Sequence, residues 1–220
     1  MDWNGDHPHT NFREMYGFLR RHGYFLEILT TDYTTFDAAS YGYLLIVDSE
    51  EEFFYEEVSK LEDDVKNKGL GLLVFADWYN TTVMKAVGFF DDNTHSWWSA
   101  AVGGANVPAL NDLLQPYGIA FGAEVWTGSL DLAPRDAQSH LRPQRVKFAS
   151  GPSIRTFPAG GKLMSALMHN KGRALTKANP DSRKVPFMGL TDPAGPRVAV
   201  YGDSNCLDAA RNAGWCFMVL

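Results

Sequence analysis

The stretch Tyr43-Leu44-Leu45-Ile46-Val47-Asp48 decides the fold class of this chain. Its unbroken apolar run predicts a strand that is buried on both faces, as in a parallel sheet. A second run, Leu70–Ala76, has the same character and also ends at an aspartate, Asp77. Between the runs, apolar side chains recur at helical spacing, at Phe53, Phe54, Val58, Leu61 and Val65. Two such strands joined by an amphipathic helix predict a parallel sheet covered by helices.

The rest of the chain changes character at about residue 118. Residues 1–117 continue the α/β pattern, with a helix that Thr10 begins and Gly23 ends, followed by a strand candidate at Tyr24–Leu29. Residues 118–220 contain short apolar segments between clusters of Gly, Pro and Ser, which favours strands and turns. We therefore predict one α/β domain with a three-layer parallel sheet. Residues 118–220 form its β-rich part, which we expect to be truncated at the C-terminal end.

The composition excludes several classes of protein. The 220 residues carry a net charge of −6, and nucleic-acid-binding domains instead present a basic surface. No apolar run approaches the roughly 18 residues of a membrane-spanning helix. The polar opening Asp2–Asp6 lacks the basic and apolar regions of a signal peptide. Taken alone, these features indicate a cytosolic chain or a piece of a longer one.

Two predicted strands end in acidic residues, which makes the strand ends a candidate binding site. Ligands of open α/β sheets bind at the carboxyl ends of the strands, where Asp48 and Asp77 are expected. Asp2 and His7, in the polar opening, are further candidates for ligand binding. The alternative is that both strand-end aspartates cap the following helices, and we favour it because Asp is a preferred cap. We predict no metal site and no cofactor.

Ser204 is a candidate nucleophile. It follows a predicted strand in Gly202-Asp203-Ser204, which resembles the nucleophile segment of lipase-type hydrolases. No histidine follows it, and the Gly-x-Ser-x-Gly elbow is absent, so a cap or turn is the favoured role. A glutaminase-type cysteine is also missing, because the elbow after Leu70–Ala76 carries Asp77-Trp78-Tyr79.

Three other features allow more than one interpretation. Cys206 and Cys216 are either two thiols or a disulfide, depending on the compartment. Asn80-Thr81-Thr82 is an N-glycosylation acceptor that matters only in a lumenal protein. Trp97-Trp98 lies within a predicted Gly-rich loop, Asp91–Gly104, and is either a partner surface or buried beneath the loop. Burial is the interpretation that we favour.

Long collinear segments carry a family resemblance along nearly the whole chain. They are Asp2–Arg13, Val47–Glu52, Phe75–Thr81, Asp91–Thr94, Trp97-Trp98, Gly103–Leu110, Ala149–Ile154 and Val200–Asp208. Together they resemble the site-1 protease family of subtilisin-like serine endopeptidases, in the region that follows the catalytic domain. The order of elements is also similar to the class I glutamine amidotransferase-like, or flavodoxin-like, fold.

This resemblance implies a parent endopeptidase, anchored in the Golgi or endoplasmic-reticulum membrane, that processes membrane-bound transcription factor precursors. Its catalytic residues belong to the preceding domain, and none of them maps onto this sequence. The chain is then a non-catalytic companion domain, a fragment whose partner is the parent's catalytic domain. A lumenal parent implies a Cys206–Cys216 disulfide and a glycan on Asn80. The alternatives are a small-ligand-binding amidotransferase-like module and a hydrolase that uses Ser204.

Overall fold

A computed structural model describes residues 7–132, 144–171 and 182–208 of the chain. Its helices are α1 (Arg13–Arg21), α2 (Tyr55–Asn67), α3 (Thr81–Ala86) and α4 (Val107–Leu114). Its strands are β1 (Tyr43–Val47), β2 (Gly71–Phe75), β3 (Phe89–Asp91), β4 (Ser96–Trp98), β5 (Ala120–Phe121), β6 (Trp126–Leu132), β7 (Gln144–Gly151), β8 (Ile154–Thr156), β9 (Lys162–Asn170), β10 (Ser182–Leu190) and β11 (Val198–Tyr201). None of the helices in these ranges is long and apolar enough to cross a membrane.

Within the described residues, seven strands form one mixed sheet in the order β1-β2-β11-β10-β9-β6-β7. The strands β1, β2 and β11 are parallel, and every later neighbour in this order is antiparallel. The predicted α/β class is confirmed, but the sheet is parallel only at the β1 end. Residues before 118 supply β1 and β2, and later residues supply the other five strands. Both predicted parts of the chain therefore contribute to the same sheet.

The parallel strands have apolar side chains on both faces, which explains their unbroken apolar sequences. Leu72 and Val74 of β2 pack in a core with Leu61 of α2 and Leu110 of α4. Phe75 belongs to a second core, together with Met15 of α1. A strand that is buried on both sides needs apolar residues at every position. The helices thus cover opposite faces of the parallel strands.

The antiparallel strands enclose the second core. Its fully buried members include Trp126, Phe148 and Met168, and Tyr201 brings β11 into the same cluster. The end of β7 lies against the residue that follows β11, although three strands separate them in the sheet order. A Cβ atom added to Gly151 would lie 1.7 Å from the carbonyl oxygen of Gly202. The two backbones are therefore in contact. The sheet curls so that the end of its edge strand β7 lies against the turn after β11.

Two predicted elements differ from the structure. Tyr24–Leu29 was expected to be a strand, but it is irregular and Phe25 is 85% exposed. The predicted loop Asp91–Gly104 instead contains β4, which pairs with β3 in an antiparallel hairpin. Both errors arise because a strand is defined by its hydrogen-bonded neighbour, which a local apolar pattern does not reveal.

Gly151→Ala should lower the free energy of unfolding by about 1–3 kcal/mol, because the new methyl group overlaps the Gly202 carbonyl. Urea denaturation followed by tryptophan fluorescence measures this change. The matched control is Gly42→Ala, where an added Cβ atom meets no atom within 4 Å. Equal stabilities of the two variants would contradict the closure of the sheet at this point.

Candidate functional site

Open α/β sheets usually bind their ligands at the carboxyl ends of the parallel strands. Asp48 directly follows β1 in a left-handed backbone conformation (φ 53°), and its amide donates to the Phe75 carbonyl over 3.0 Å. It does not cap α2, because that helix begins seven residues later, and there Glu57 accepts from the Phe54 amide at 3.0 Å. The expectation that Asp48 is a helix cap is therefore wrong. The loop between strand and helix is too long for the strand-end residue to reach the cap position.

Asp77 follows β2 and is nearly buried, at 7% exposure. One carboxylate oxygen accepts from the Trp78 amide over 2.7 Å, and the other accepts from Asn205 Nδ2 over 3.0 Å. Asp77 is not a helix cap either, because Asn80 caps α3 by accepting from the amides of Thr82 and Val83. A Cβ atom on Gly104 would lie 2.4 Å from the Asp77 carboxylate, so only glycine fits at this position.

Asp203 follows β11 and is fully buried. One of its oxygens accepts from the Asn205 amide over 3.2 Å and from Asn205 Nδ2 over 2.8 Å. The other accepts from the Ala149 amide at the end of β7. Burial raises the pKa of Asp203 to about 6, although the N–H donors of Asn205, Ala149 and Ser150 favour the charged form. The carboxylate thus joins the end of β7 to the turn that follows β11.

Asp77, Asn205 and Asp203 form one hydrogen-bonded chain, which we call the strand-end network. The side-chain amide of Asn205 donates to both carboxylates, so both of its hydrogens are used. All three side chains are buried. Polar groups that satisfy one another beneath the surface stabilise a structure, whereas catalytic groups must meet a substrate. The geometry of the network indicates a structural role.

The other predicted site residues lie apart from this network. His7 is in the turn before α1, where its amide donates to Asn11 Oδ1 over 2.9 Å and its Nδ1 accepts from the His9 amide over 3.1 Å. Within the described residues, the hydrogen bonds of His7 reach only residues 9–12. Asp2 and Cys216 lie outside the described ranges. In those ranges no group of three or more His, Cys, Asp or Glu residues is arranged to hold a metal ion.

The candidate nucleophile Ser204 is inaccessible. It is 2% exposed and begins a short 3-10 turn, Ser204–Leu207, whose cap is Asp203. Its amide donates to the Ala76 carbonyl over 2.8 Å, which ties the turn to the end of β2. Cys206, in the same turn, is buried with its Sγ 3.1 Å from the Asp203 carbonyl oxygen. This geometry agrees with the turn role that the sequence favoured for Ser204.

Sequence reasoning missed Asp203 and Asn205 as functional elements. The pattern Gly202-Asp203-Ser204-Asn205 suggests a role for Ser204 alone. The missing signal was distance along the chain, because Asn205 contacts Asp77 across 128 residues. Two Asx-type side chains after a buried strand were the available clue, since Asp and Asn commonly bond nearby backbone groups.

The pH dependence of stability should reveal Asp203. Its pKa in the folded chain is raised, so the folded state binds this proton more tightly than the unfolded chain. The resulting stabilisation is complete below about pH 4 and is lost as the pH rises through about 6, a change of about 2–3 kcal/mol. Asp203→Asn should remove this decline in urea denaturation experiments between about pH 4.5 and 7.5.

Asp91→Asn is the control for this measurement. Hydrogen bonds from Thr94 and Asn93 lower the pKa of Asp91, so its contribution changes only below its ordinary value of 3.8. The control should therefore keep the decline between about pH 4.5 and 7.5. A decline that persists in Asp203→Asn would show that another group causes it.

Comparisons with known proteins place this arrangement in a family. Residues 1–220 match the family described as "MBTPS1, fourth GATase-like domain". The human membrane-bound transcription factor site-1 protease is 46% identical over 224 residues, which cover 100% of this chain and 20% of the relative. The subtilisin-like protease SBT6.1 of Arabidopsis thaliana is 45% identical over 227 residues, covering 100% of this chain and 21% of the relative. The chain thus spans about a fifth of the length of these curated relatives.

A solved structure shares the fold at low sequence identity. The mmIFT52 N-terminal domain superposes with a TM-score of 0.57 over 93% of this chain and 84% of that chain, at 12% identity. At such an identity the likeness concerns the fold alone. The relatives, in contrast, match the full chain and confirm the family resemblance that the sequence segments carry. The chain belongs to the family of the fourth GATase-like domain of membrane-bound transcription factor site-1 proteases.

Proposed function

We propose that this chain is a non-catalytic companion domain of a site-1-protease-like, subtilisin-type endopeptidase that processes membrane-bound transcription factor precursors. It supports the protease domain or positions substrates and partner proteins, within a three-layer, amidotransferase-like fold. The observation that carries the proposal is the strand-end network. Open α/β sheets bind ligands at this edge. Here Asp77 and Asp203 instead accept hydrogen bonds from the side-chain amide of Asn205, and Ser204 is 2% exposed.

A serine-reactive probe tests the non-catalytic part of the proposal. In a full-length parent enzyme whose catalytic serine is replaced by alanine, a fluorophosphonate should label no residue of this domain, because the Ser204 hydroxyl is buried. Mass spectrometry of the digested protein identifies any labelled peptide. Labelling of Ser204 that disappears in Ser204→Ala would favour the hydrolase alternative instead.

The supporting role is tested by loosening the network. Asn205→Ala removes one hydrogen-bond donor from each of two buried carboxylates, which should cost about 2–3 kcal/mol of stability. In the full-length parent this variant should reduce the yield of active protease, measured as cleavage of a precursor-derived peptide per milligram. The control is Asn67→Ala, an exposed amide at the end of α2, which should leave the yield unchanged. Full activity of Asn205→Ala, despite a loss of domain stability, would contradict the supporting role.

A lumenal location of the parent is part of this proposal, and Asn80 offers a local test of it. Asn80 caps α3, and its Nδ2 donates one hydrogen to the Ala123 carbonyl over 2.9 Å. N-glycosylation replaces only one of the two amide hydrogens, so a glycan is compatible with this bond.

We also propose that Cys206 pairs with Cys216. This disulfide would confine the chain after β11 and raise the free energy of unfolding by about 2–3 kcal/mol.

Thr82→Ala should abolish glycosylation of Asn80 in a full-length parent expressed through the secretory pathway, since the acceptor sequence requires a hydroxyl at the third position. Thr81→Ala, one residue away and also exposed, should retain the glycan. Mass spectrometry of the peptide that contains Asn80 distinguishes the two. An unmodified Asn80 in the wild-type protein would overturn the glycosylation proposal.

A further inference from the structure

The β3–β4 hairpin exposes four aromatic side chains to solvent. Phe89 pairs with Trp98 and Phe90 pairs with Trp97 across the two short strands. Their exposures run from 44% for Phe90 to 77% for Trp97. The expectation that Trp97 and Trp98 are buried beneath a Gly-rich loop is therefore wrong. Successive strand residues point to opposite faces, so each face of the hairpin presents one exposed Phe–Trp pair. Exposed aromatic pairs of this kind mark contact surfaces.

The hairpin is ordered by hydrogen bonds within it. Its turn is fixed by Asp91, whose carboxylate accepts from the Asn93 and Thr94 amides at 3.2 Å each and from the Thr94 hydroxyl at 2.7 Å. The Trp98 indole donates to the same hydroxyl over 3.0 Å. The chain returns to the sheet at Gly104, whose amide donates to the Trp78 carbonyl over 2.8 Å. The exposed rings are thus presented by a built structure.

The charge of the hairpin restricts what it can contact. Its turn carries Asp91 and Asp92 side by side, and hydrogen bonds lower the pKa of Asp91 so that it stays ionised. Inserting this acidic turn into a lipid surface would require desolvating two carboxylates, which is costly. The whole chain also carries a net charge of −6. These charges favour a protein face that is apolar at its centre and basic at its rim.

The size of the patch indicates that its partner is tethered. The Phe90–Trp97 pair on one face offers on the order of 250 Å² for burial. Independent, stable protein complexes need roughly 800 Å² from each partner, so the patch is too small to hold a second copy of the chain. Contacts between domains of one polypeptide need less area, because the linker supplies a high effective concentration. The curated relatives are about five times as long as this chain, since it covers 20% of them.

We infer that the β3–β4 hairpin docks this domain onto another domain of its own polypeptide, at an apolar face with a basic rim. The inference rests on the proposed companion function and adds the surface through which it acts. Trp97 is the central anchor because it is the most exposed of the four rings and makes an edge-to-face contact with Phe90 at 5.9 Å between centroids.

Photo-crosslinking in the full-length parent tests the occupant directly. Benzoylphenylalanine replaces Trp97, and in a matched control it replaces Phe25, an exposed aromatic outside the hairpin. A mixture of isotopically light and heavy protein separates links within one polypeptide from links between copies. We expect position 97, but not position 25, to link to a peptide of another domain of the same polypeptide. The absence of a link at position 97, or a link to a second copy or a separate protein, would overturn the inference.

Hydrogen exchange in the full-length parent measures how much the Trp97 ring contributes to the stability of the docked hairpin. Trp97→Ala removes an interface anchor and should speed exchange of the hairpin amides by about tenfold, and Phe25→Ala should leave them unchanged. An equal rate in wild type and Trp97→Ala would mean that the ring contributes nothing to docking. The two proposals fail separately. If Asn205→Ala loses activity but position 97 forms no link, the companion role stands and the docking through the hairpin is rejected. If position 97 forms the expected link but Asn205→Ala keeps full activity, only the companion role is rejected.

Discussion

The fold depends on the buried carboxylate of Asp203. By accepting from the amides of Ala149 and Asn205, it fastens the end of β7 to the turn after β11. These strands stand at opposite ends of the antiparallel series, so the contact holds the sheet curled around its second core. The backbones meet there at Gly151 and Gly202, where a side chain would not fit. A buried charge is costly unless donors surround it, which is why its partners come from two different strand ends.

The same carboxylate couples the two halves of the sheet. The side-chain amide of Asn205 donates to Asp203 and also to Asp77, which follows the parallel strand β2. Asp77 in turn packs against Gly104, the residue at which the chain returns from the β3–β4 hairpin. The closure of the curled sheet and the placement of the hairpin are therefore connected through three adjacent side chains. A substitution at one of them should change the stability that the other two contribute, because residues in one hydrogen-bonded network are not energetically independent.

Local patterns predicted the elements whose physical cause is local. The apolar runs at Tyr43–Val47 and Leu70–Ala76 became β1 and β2, because a strand that is buried on both faces must be apolar throughout. Tyr24–Leu29 has a similar composition but finds no neighbouring strand in the described residues and stays irregular. The strand-end network was beyond such reasoning, since Asp203 and Ala149 are 54 residues apart in the sequence. Asp48 and Asp77 were correctly expected at the strand ends, but their partners could be found only from the tertiary structure.

The arrangement reverses what a free α/β domain presents to solvent. At the strand ends, where such a domain keeps polar groups available for ligands, Asp77, Asn205 and Asp203 are sealed beneath the surface. On the hairpin, where a free domain would hide its aromatic rings, Phe89 and Trp97 are open to solvent. Buried carboxylates secure the shape, and exposed rings remain to be covered. The docking that we infer for the hairpin would remove these rings from solvent and add the free energy of their burial to the stability of the domain.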